Sequence, residues 1–245
     1  MNYIQRLADD FLELHGDRLS RDDPALVAGL GTWGGLKAMI LGQQKGRTFD
    51  DRVRRNFGMM HPEGYRKAIR VARMAARFRL PIISLVDTPG AYPGVSAEEG
   101  GIASSIAAAM SEWFRIQTPI VAVVIGEGGS GGALALAIAD RVLMMENAIY
   151  SVAAPEVCAS ILWRDTSYKY EAAQLLHLTA HELLALGVVD EVIPEPAGGA
   201  QCDYIGASDS VGRAVSRHLV EVLNEDQESL LQRRYDRYRT LSPAS

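Results

Sequence analysis

Residues 82–101, IISLVDTPGAYPGVSAEEGG, and 120–136, IVAVVIGEGGSGGALAL, decide the fold. Each begins with an apolar run of strand length (82–86 and 120–125), turns through a loop rich in glycine or proline, and continues into a helical pattern. Strands that alternate with helices predict parallel pairing and an α/β architecture. The spacing predicts a helix over about 97–116, opened by a Ser96/Glu99 capping box. A second helix runs from the glycine loop to Ala139, followed by a strand at 142–145.

Towards the N-terminus, a helix with a basic outer face is expected from Pro62, and residues 45–61 read as a charged surface loop holding Arg47, Arg52, Arg54 and Arg55. Residues 27–33 and 36–43 form an antiparallel pair turned by Gly34-Gly35. Ile4, Leu7, Ala8 and Phe11 fall at helical spacing, so the first fifteen residues read as an amphipathic helix ending near Gly16. Towards the C-terminus, Thr179 and Glu182 form another capping box, Gly187 closes that helix and VVDEVI follows as a strand. Residues 208–224 and 230–238 are helical. One domain over 1–245 is expected, with a core of about 24–195 and helical ends at 1–16 and 208–241.

The chain has 245 residues, 25 Lys plus Arg and 30 Asp plus Glu, for a net charge of −5, so neither nucleic acid nor an anionic membrane attracts it generally. Cys158 and Cys202 are its two cysteines, too few for a disulfide framework or a four-thiolate zinc site. The first residues, MNYIQRLADDF, lack a basic run followed by an apolar stretch, so no secretory signal is expected and the cytoplasm is the default. Glu127 and its glycines interrupt the apolar stretch 119–139, which therefore does not read as a membrane span. His177 and His181 are four apart, but Thr179 reads as a helix cap between them, so no metal site is expected.

Both loops follow the carboxyl end of a strand and precede a helix, where ligands bind in open α/β sheets. Gly126-x-Gly128-x-x-Gly131, with Glu146 twenty residues on, matches a dinucleotide fingerprint, but the crossover helix is short. Gly128-x-Ser130-x-Gly132 matches a hydrolase elbow, with His177 or His181 and Asp165 or Asp190 as notional partners; Ser130 lies four residues past Gly126, which favours a broad anion-binding loop. Asp87-Thr88-Pro89-Gly90 resembles a GTPase magnesium loop, and no phosphate-binding G-x-x-x-x-G-K-[ST] accompanies it. Backbone amides freed of Cβ atoms and aimed at a developing oxyanion remain the best reading, with tight strand-to-helix packing as the bland alternative. Glu127 is read as fixing the loop. Arg66, Lys67 and Arg70 are candidates for phosphate or partner contacts, or a solvated helix face.

These two loops, with QKGR, RRNFGM, PEGYRKA and CASILW in this order, resemble the α-subunit family of bacterial acetyl-CoA carboxylase carboxyltransferases, over residues 3–238. The resemblance implies a crotonase-like (ClpP/crotonase) spiral of ββα units with flanking N- and C-terminal helices. It implies transfer of a carboxyl group from carboxybiotin, borne by a biotin carboxyl carrier protein, to the coenzyme A thioester acetyl-CoA, giving malonyl-CoA for fatty acid synthesis. The site would be shared with a zinc-ribbon β subunit in an α2β2 heterotetramer, within an ATP-dependent complex that includes biotin carboxylase, and no metal would lie in this chain. The family's Gly-Gly-Ala amides carry over to Gly131, Gly132 and Ala133 as catalytic. Gly90, Ala91, Tyr92, Gly128, Gly129 and Ser130 become substrate-binding candidates. Two departures stand out: the family's helical N-terminal extension is missing, and Val157 replaces a glycine before CASILW, making it a further substrate-site candidate. A catalytic subunit, a non-catalytic or altered-specificity paralogue, and a stand-alone crotonase-like hydrolase or decarboxylase stay open.

Overall fold

The computed structural model describes residues 3–241. Eight strands form one sheet: β1 (Ala8–Glu13), β2 (Leu26–Trp33), β3 (Leu36–Gln43), β4 (Ile82–Thr88), β5 (Ile120–Gly129), β6 (Arg141–Met145), β7 (Ile149–Ser151) and β8 (Glu191–Ile193). The order is β1-β2-β3-β4-β5-β6-β8, with β7 also paired to β5. Pairing is antiparallel for β1 with β2 and β2 with β3, and parallel from β3 onward. Eleven α-helices accompany it: α1 (Tyr3–Leu7), α2 (Phe49–Arg54), α3 (Pro62–Phe78), α4 (Val95–Glu99), α5 (Ile102–Arg115), α6 (Ser130–Ala137), α7 (Pro155–Trp163), α8 (Lys169–Leu176), α9 (Ala180–Ala185), α10 (Tyr204–Leu223) and α11 (Gln227–Thr240). The expected mixed α/β sheet, the hairpin at Gly34-Gly35 (φ 56° and 84°), α3, and the Thr179/Glu182 capping box are all present. One apolar cluster runs from Ile4 to Leu230 through the middle strands, α3, α5, α6 and α10.

Four expectations change. The N-terminal helix stops at Leu7 and the chain continues as β1, because the free edge of β2 offers hydrogen-bonding partners that a surface helix would leave unused. Gly29 makes the approach possible: a Cβ there would lie 2.2 Å from the Leu12 carbonyl oxygen. The stretch 45–61 contains α2, capped by the Thr48 side chain, and a 3₁₀ turn at Asn56–Gly58. The helix expected over 97–116 is broken into α4 and α5 at Gly100-Gly101, where Gly101 has φ 76°, and Gly94 rather than Ser96 is the cap of α4. Finally, β5 does not end at Ile125 but runs through the glycines to Gly129, because β7 pairs with it there.

Three cations of α3 are spent inside the fold. Arg66 pairs with Asp17 at 2.8 Å, the buried Lys67 pairs with Asp22 at 2.6 Å, and Arg70 donates to the Gly16 carbonyl at 3.0 Å, stapling the segment before β2 to the helix. Burial of Asp17 favours its neutral form, but backbone donors from Ser20, Leu19 and Arg21 and the Arg66 guanidinium outweigh that and hold its carboxyl well below the usual range. A depressed folded-state pKa stabilises the fold above the unfolded value of about 3.9, and that stability is lost as pH falls further. Urea midpoints measured from pH 6 to pH 2 are therefore expected to fall below about pH 4, with a shallower slope in Asp17→Asn. An unchanged slope in that variant would refute the assignment.

Candidate active site

The carboxyl ends of β3, β4 and β5 meet at one edge of the sheet, and the loops leaving them build the site. Asp87 and the following turn leave β4; the glycines of β5 run into α6. Gly129 and Gly132 let these loops touch: a Cβ on Gly129 would lie 2.0 Å from the Pro89 oxygen, and one on Gly132 would lie 2.5 Å from both the Ala91 nitrogen and the Gly90 carbonyl carbon. Such spacing admits hydrogen alone. At Gly90 the missing Cβ faces open space instead, and at Gly131 it would make only ordinary contact with Ile106.

Ser130, Gly131 and Gly132 occupy the first turn of α6, where no helical carbonyl lies four residues back. Their amides lack an intrahelical partner and sit at the positive end of the helix dipole; Ser130 and Gly131 border cavities, while Gly132 is buried. Ala133 sits one residue further in, is fully buried and has the Gly129 carbonyl within helical reach. The Gly90 amide is committed to Thr88 Oγ1 at 3.2 Å. Tyr92 stacks on His61 with centroids 4.2 Å apart and does not border the cavity beside Gly128–Ser130.

Two side chains not singled out from sequence, Gln43 and Lys45, lock the arrangement together with Asp87. The buried Gln43, at the end of β3, donates from Nε2 to the Gly132 carbonyl at 3.0 Å and accepts the Asp87 amide at 3.1 Å. Asp87 accepts the Glu127 amide at 3.0 Å and pairs with Lys45 at 3.0 Å, and Lys45 also pairs with Glu127. Burial alone would lower the Lys45 pKa, but Asp87 and Glu127 reverse this and leave it raised. Glu127 thus fixes the loop through Lys45. A polar residue closing an otherwise apolar strand marks a position, but nothing local names its partners, which lie 89 and 44 residues away for Gln43.

A cavity of about 510 Å³ opens beside this edge, walled by Gly128, Gly129, Ser130, Val152 and Val157 among others. Val157 lies within α7, outside the positive-φ residues, so its branched side chain narrows the cavity without straining the backbone. An apolar cavity of about 340 Å³ adjoins it through Ser130, Ser151 and Val152. Ser130 directly follows the strand with φ 53°, closer to an elbow than its sequence spacing suggests. The notional partners are engaged elsewhere: His177 with Glu182 at 3.2 Å, Asp190 with Arg237 at 2.7 Å, and Asp165 with the Ser167 amide at 2.9 Å. His181 lies 3.9 Å from Glu146. Neither cavity is lined by histidine. Among the described residues no group of three or more His, Cys, Asp or Glu could hold a metal ion.

Residues 1–242 match the family model described as acetyl co-enzyme A carboxylase carboxyltransferase-like. The chain belongs to this family. The acetyl-coenzyme A carboxylase carboxyl transferase subunit α of Prochlorococcus marinus (strain MIT 9515) is 51% identical over 241 residues, which is 98% of this chain and 72% of that protein. The corresponding subunit of Synechococcus sp. (strain CC9605) is 49% identical over 98% of this chain and 73% of its own length. As a member of the α-subunit family the chain is a transferase subunit. Among solved structures, transcarboxylase 12S with methylmalonyl-coenzyme A and methylmalonic acid bound superposes with a TM-score of 0.75 at 23% identity, over 92% of this chain and 41% of that one. A Pseudomonas malonate decarboxylase hetero-tetramer in complex with coenzyme A gives 0.72 at 16% identity, over 88% and 87%. At these identities the likeness carries the fold alone, which is crotonase-like. Among the described residues no helix of this α-subunit homologue is long and apolar enough to cross a membrane.

Proposed function

We propose that the chain, as a single carboxyltransferase domain over residues 1–245, provides the oxyanion-binding half of a site completed by a β subunit, and transfers a carboxyl group from carboxybiotin to acetyl-CoA. The observation that carries this reading is the contact of Gly129 and Gly132 with Pro89, Gly90 and Ala91, which fixes the first turn of α6 so that Ser130 and Gly131 border the two cavities, with Gly132 buried directly behind them. Amides fixed before the reaction need no reorganisation as charge develops, and each such donor lowers a barrier by about 3–4 kcal/mol.

The cradle suits a ureido ring: its backbone donors match a carbonyl that gains charge, and the apolar cavity behind Ser130 suits the rest of the cofactor. Carboxybiotin, when bound, supplies the carboxyl group and, after its departure, a basic ureido group. The Gly131 and Gly132 amides donate to the oxygen that gains negative charge, with Ala133 contributing to packing. Gln43 and the Lys45, Asp87 and Glu127 cluster hold the two loops in register. Val152 and Val157 form an apolar part of the cavity wall.

The missing half is supported by the surface. Val152, Val157, Ile161, Leu162, Tyr170 and Leu175 are each more than half exposed on the cavity rim and on α7 and α8. Apolar exposure of this extent marks a protein interface. A zinc-ribbon β subunit in an α2β2 assembly, with a biotin carrier protein visiting it in the cytoplasm, accords with the family and with two unpaired cysteines. Mixing the chain with a β subunit and assaying malonyl-CoA formation from carboxybiotin is expected to give turnover that neither chain shows alone. A stable complex without turnover would favour the non-catalytic paralogue, and thioester hydrolysis by the chain alone would favour the Ser130 elbow.

A further inference from the structure

A cavity of about 520 Å³ away from the amide edge lies beyond the ends of β3 and β4 and is bordered by Lys45, Arg47, Arg52, Asp87, Tyr3 and Tyr204. Its size falls within the range of small-molecule sites. Four of its charges, Lys45, Arg47, Arg52 and Asp87, border one cavity, and only some of them are neutralised there. Lys45 is neutralised by Asp87 and Glu127, and Asp51 is taken by Arg54 and Arg55. Arg47 and Arg52 make no ion pair among the described residues; the Arg47 guanidinium reaches only the Gln5 carboxamide, at 3.4 Å. The chain is folded to bring these two together: Gly46 has φ 93°, and a Cβ there would lie 2.7 Å from the Arg52 nitrogen, so the residues after β3 turn back onto the first turn of α2.

We propose that this cavity binds the phosphate groups of a nucleotide, with Arg47 and Arg52 as the phosphate ligands and the exposed Tyr204 ring as a surface for the base. Guanidinium groups match phosphate oxygens bidentately, and two cations without carboxylate partners leave that capacity free. Tyrosine faces take bases by stacking. The nucleotide is either the phosphorylated adenosine of a coenzyme A thioester or a free nucleotide, since both present the same groups. The proposal does not depend on the carboxyl-transfer reading.

Calorimetric titration of the full chain with pyrophosphate, adenosine 3′,5′-bisphosphate, coenzyme A and ATP tests it. Saturable binding that weakens with added salt is expected, and Arg47→Gln/Arg52→Gln should weaken it at least about tenfold. The double variant should keep its melting temperature, because neither side chain holds the fold. Tighter binding of coenzyme A than ATP assigns the site to the thioester substrate, and the reverse order assigns it to a free nucleotide. Absence of binding to all four at about 5 mM, or a double variant within about twofold of the parent chain, overturns the proposal. The readout is binding without turnover, so a chain inactive in carboxyl transfer that still binds pyrophosphate through these arginines leaves the proposal standing.

Discussion

Gly132→Ala is expected to lower the kcat of the assembled enzyme by about 10²–10³-fold, the loss associated with one oxyanion donor or a displacement of about 1 Å. The added Cβ would fall 2.5 Å from the Ala91 nitrogen and the Gly90 carbonyl carbon. Both are backbone atoms, so the 87–94 loop has to move as a unit. Gln43 transmits the shift, because it is bonded to Gly132 and Asp87 at once. Gly131→Ala is the matched control: its Cβ would sit 3.4 Å from Ile106, an ordinary contact, and turnover should stay within a few-fold. Steady-state rates of both variants with the same β subunit, after circular dichroism has verified the fold, separate the cases. A Gly132→Ala enzyme within threefold of the parent would remove the steric basis of the site.

The second large effect is on stability. Arg234 and Asp140 form an ion pair with both side chains fully buried, at 2.6 and 2.9 Å. The guanidinium also donates to the carbonyls of Trp113, Ile116 and Thr118, while Asp140 accepts the Ile120 amide. The pair thus ties α11 to the end of α5 and the start of β5. Arg234→Met leaves a buried carboxylate with no cation, which costs about 3–5 kcal/mol. For a domain of this length that lowers Tm by about 6–20 °C. Adding Asp140→Asn removes the unpaired charge and should restore part of the loss. Scanning calorimetry of the three proteins reads both effects, and a single variant that melts within about 2 °C of the parent would contradict the account.

The sequence made the alternating core readable because its signals are local. The apolar runs at 82–86 and 120–125, the Gly34-Gly35 turn and the Thr179/Glu182 box each operate within a few residues. Misread elements depend on distant partners. Gly126–Gly129 has almost no side chains with which to display a strand period, and β7 makes it a strand by pairing Glu127 with Ile149. β1 owes its form to the free edge of β2 and to Gly29. Ser96 and Glu99 satisfy a capping pattern, yet the chain begins its turn two residues earlier and Gly94 takes the cap.

At the site, the glycine clusters pointed to close backbone approach, and the structure shows which ones make it. Gly129 and Gly132 do; Gly131 does not. Gln43 was invisible because its partners lie 89 and 44 residues away. Arg66, Lys67 and Arg70 looked free on a helical face, since nothing local reveals that Asp17, Asp22 and the Gly16 carbonyl fold back onto them.

The central claim is that backbone amides at the start of α6 hold the oxygen that gains charge. Glycine-selective ¹⁵N labelling of the chain in its complex with a β subunit, titrated with biotin methyl ester, tests it most directly. The Gly131 and Gly132 amide resonances should move downfield and saturate together while that of Gly187, at the end of α9, stays in place. Saturable binding that leaves the Gly131 and Gly132 resonances unmoved would contradict the claim.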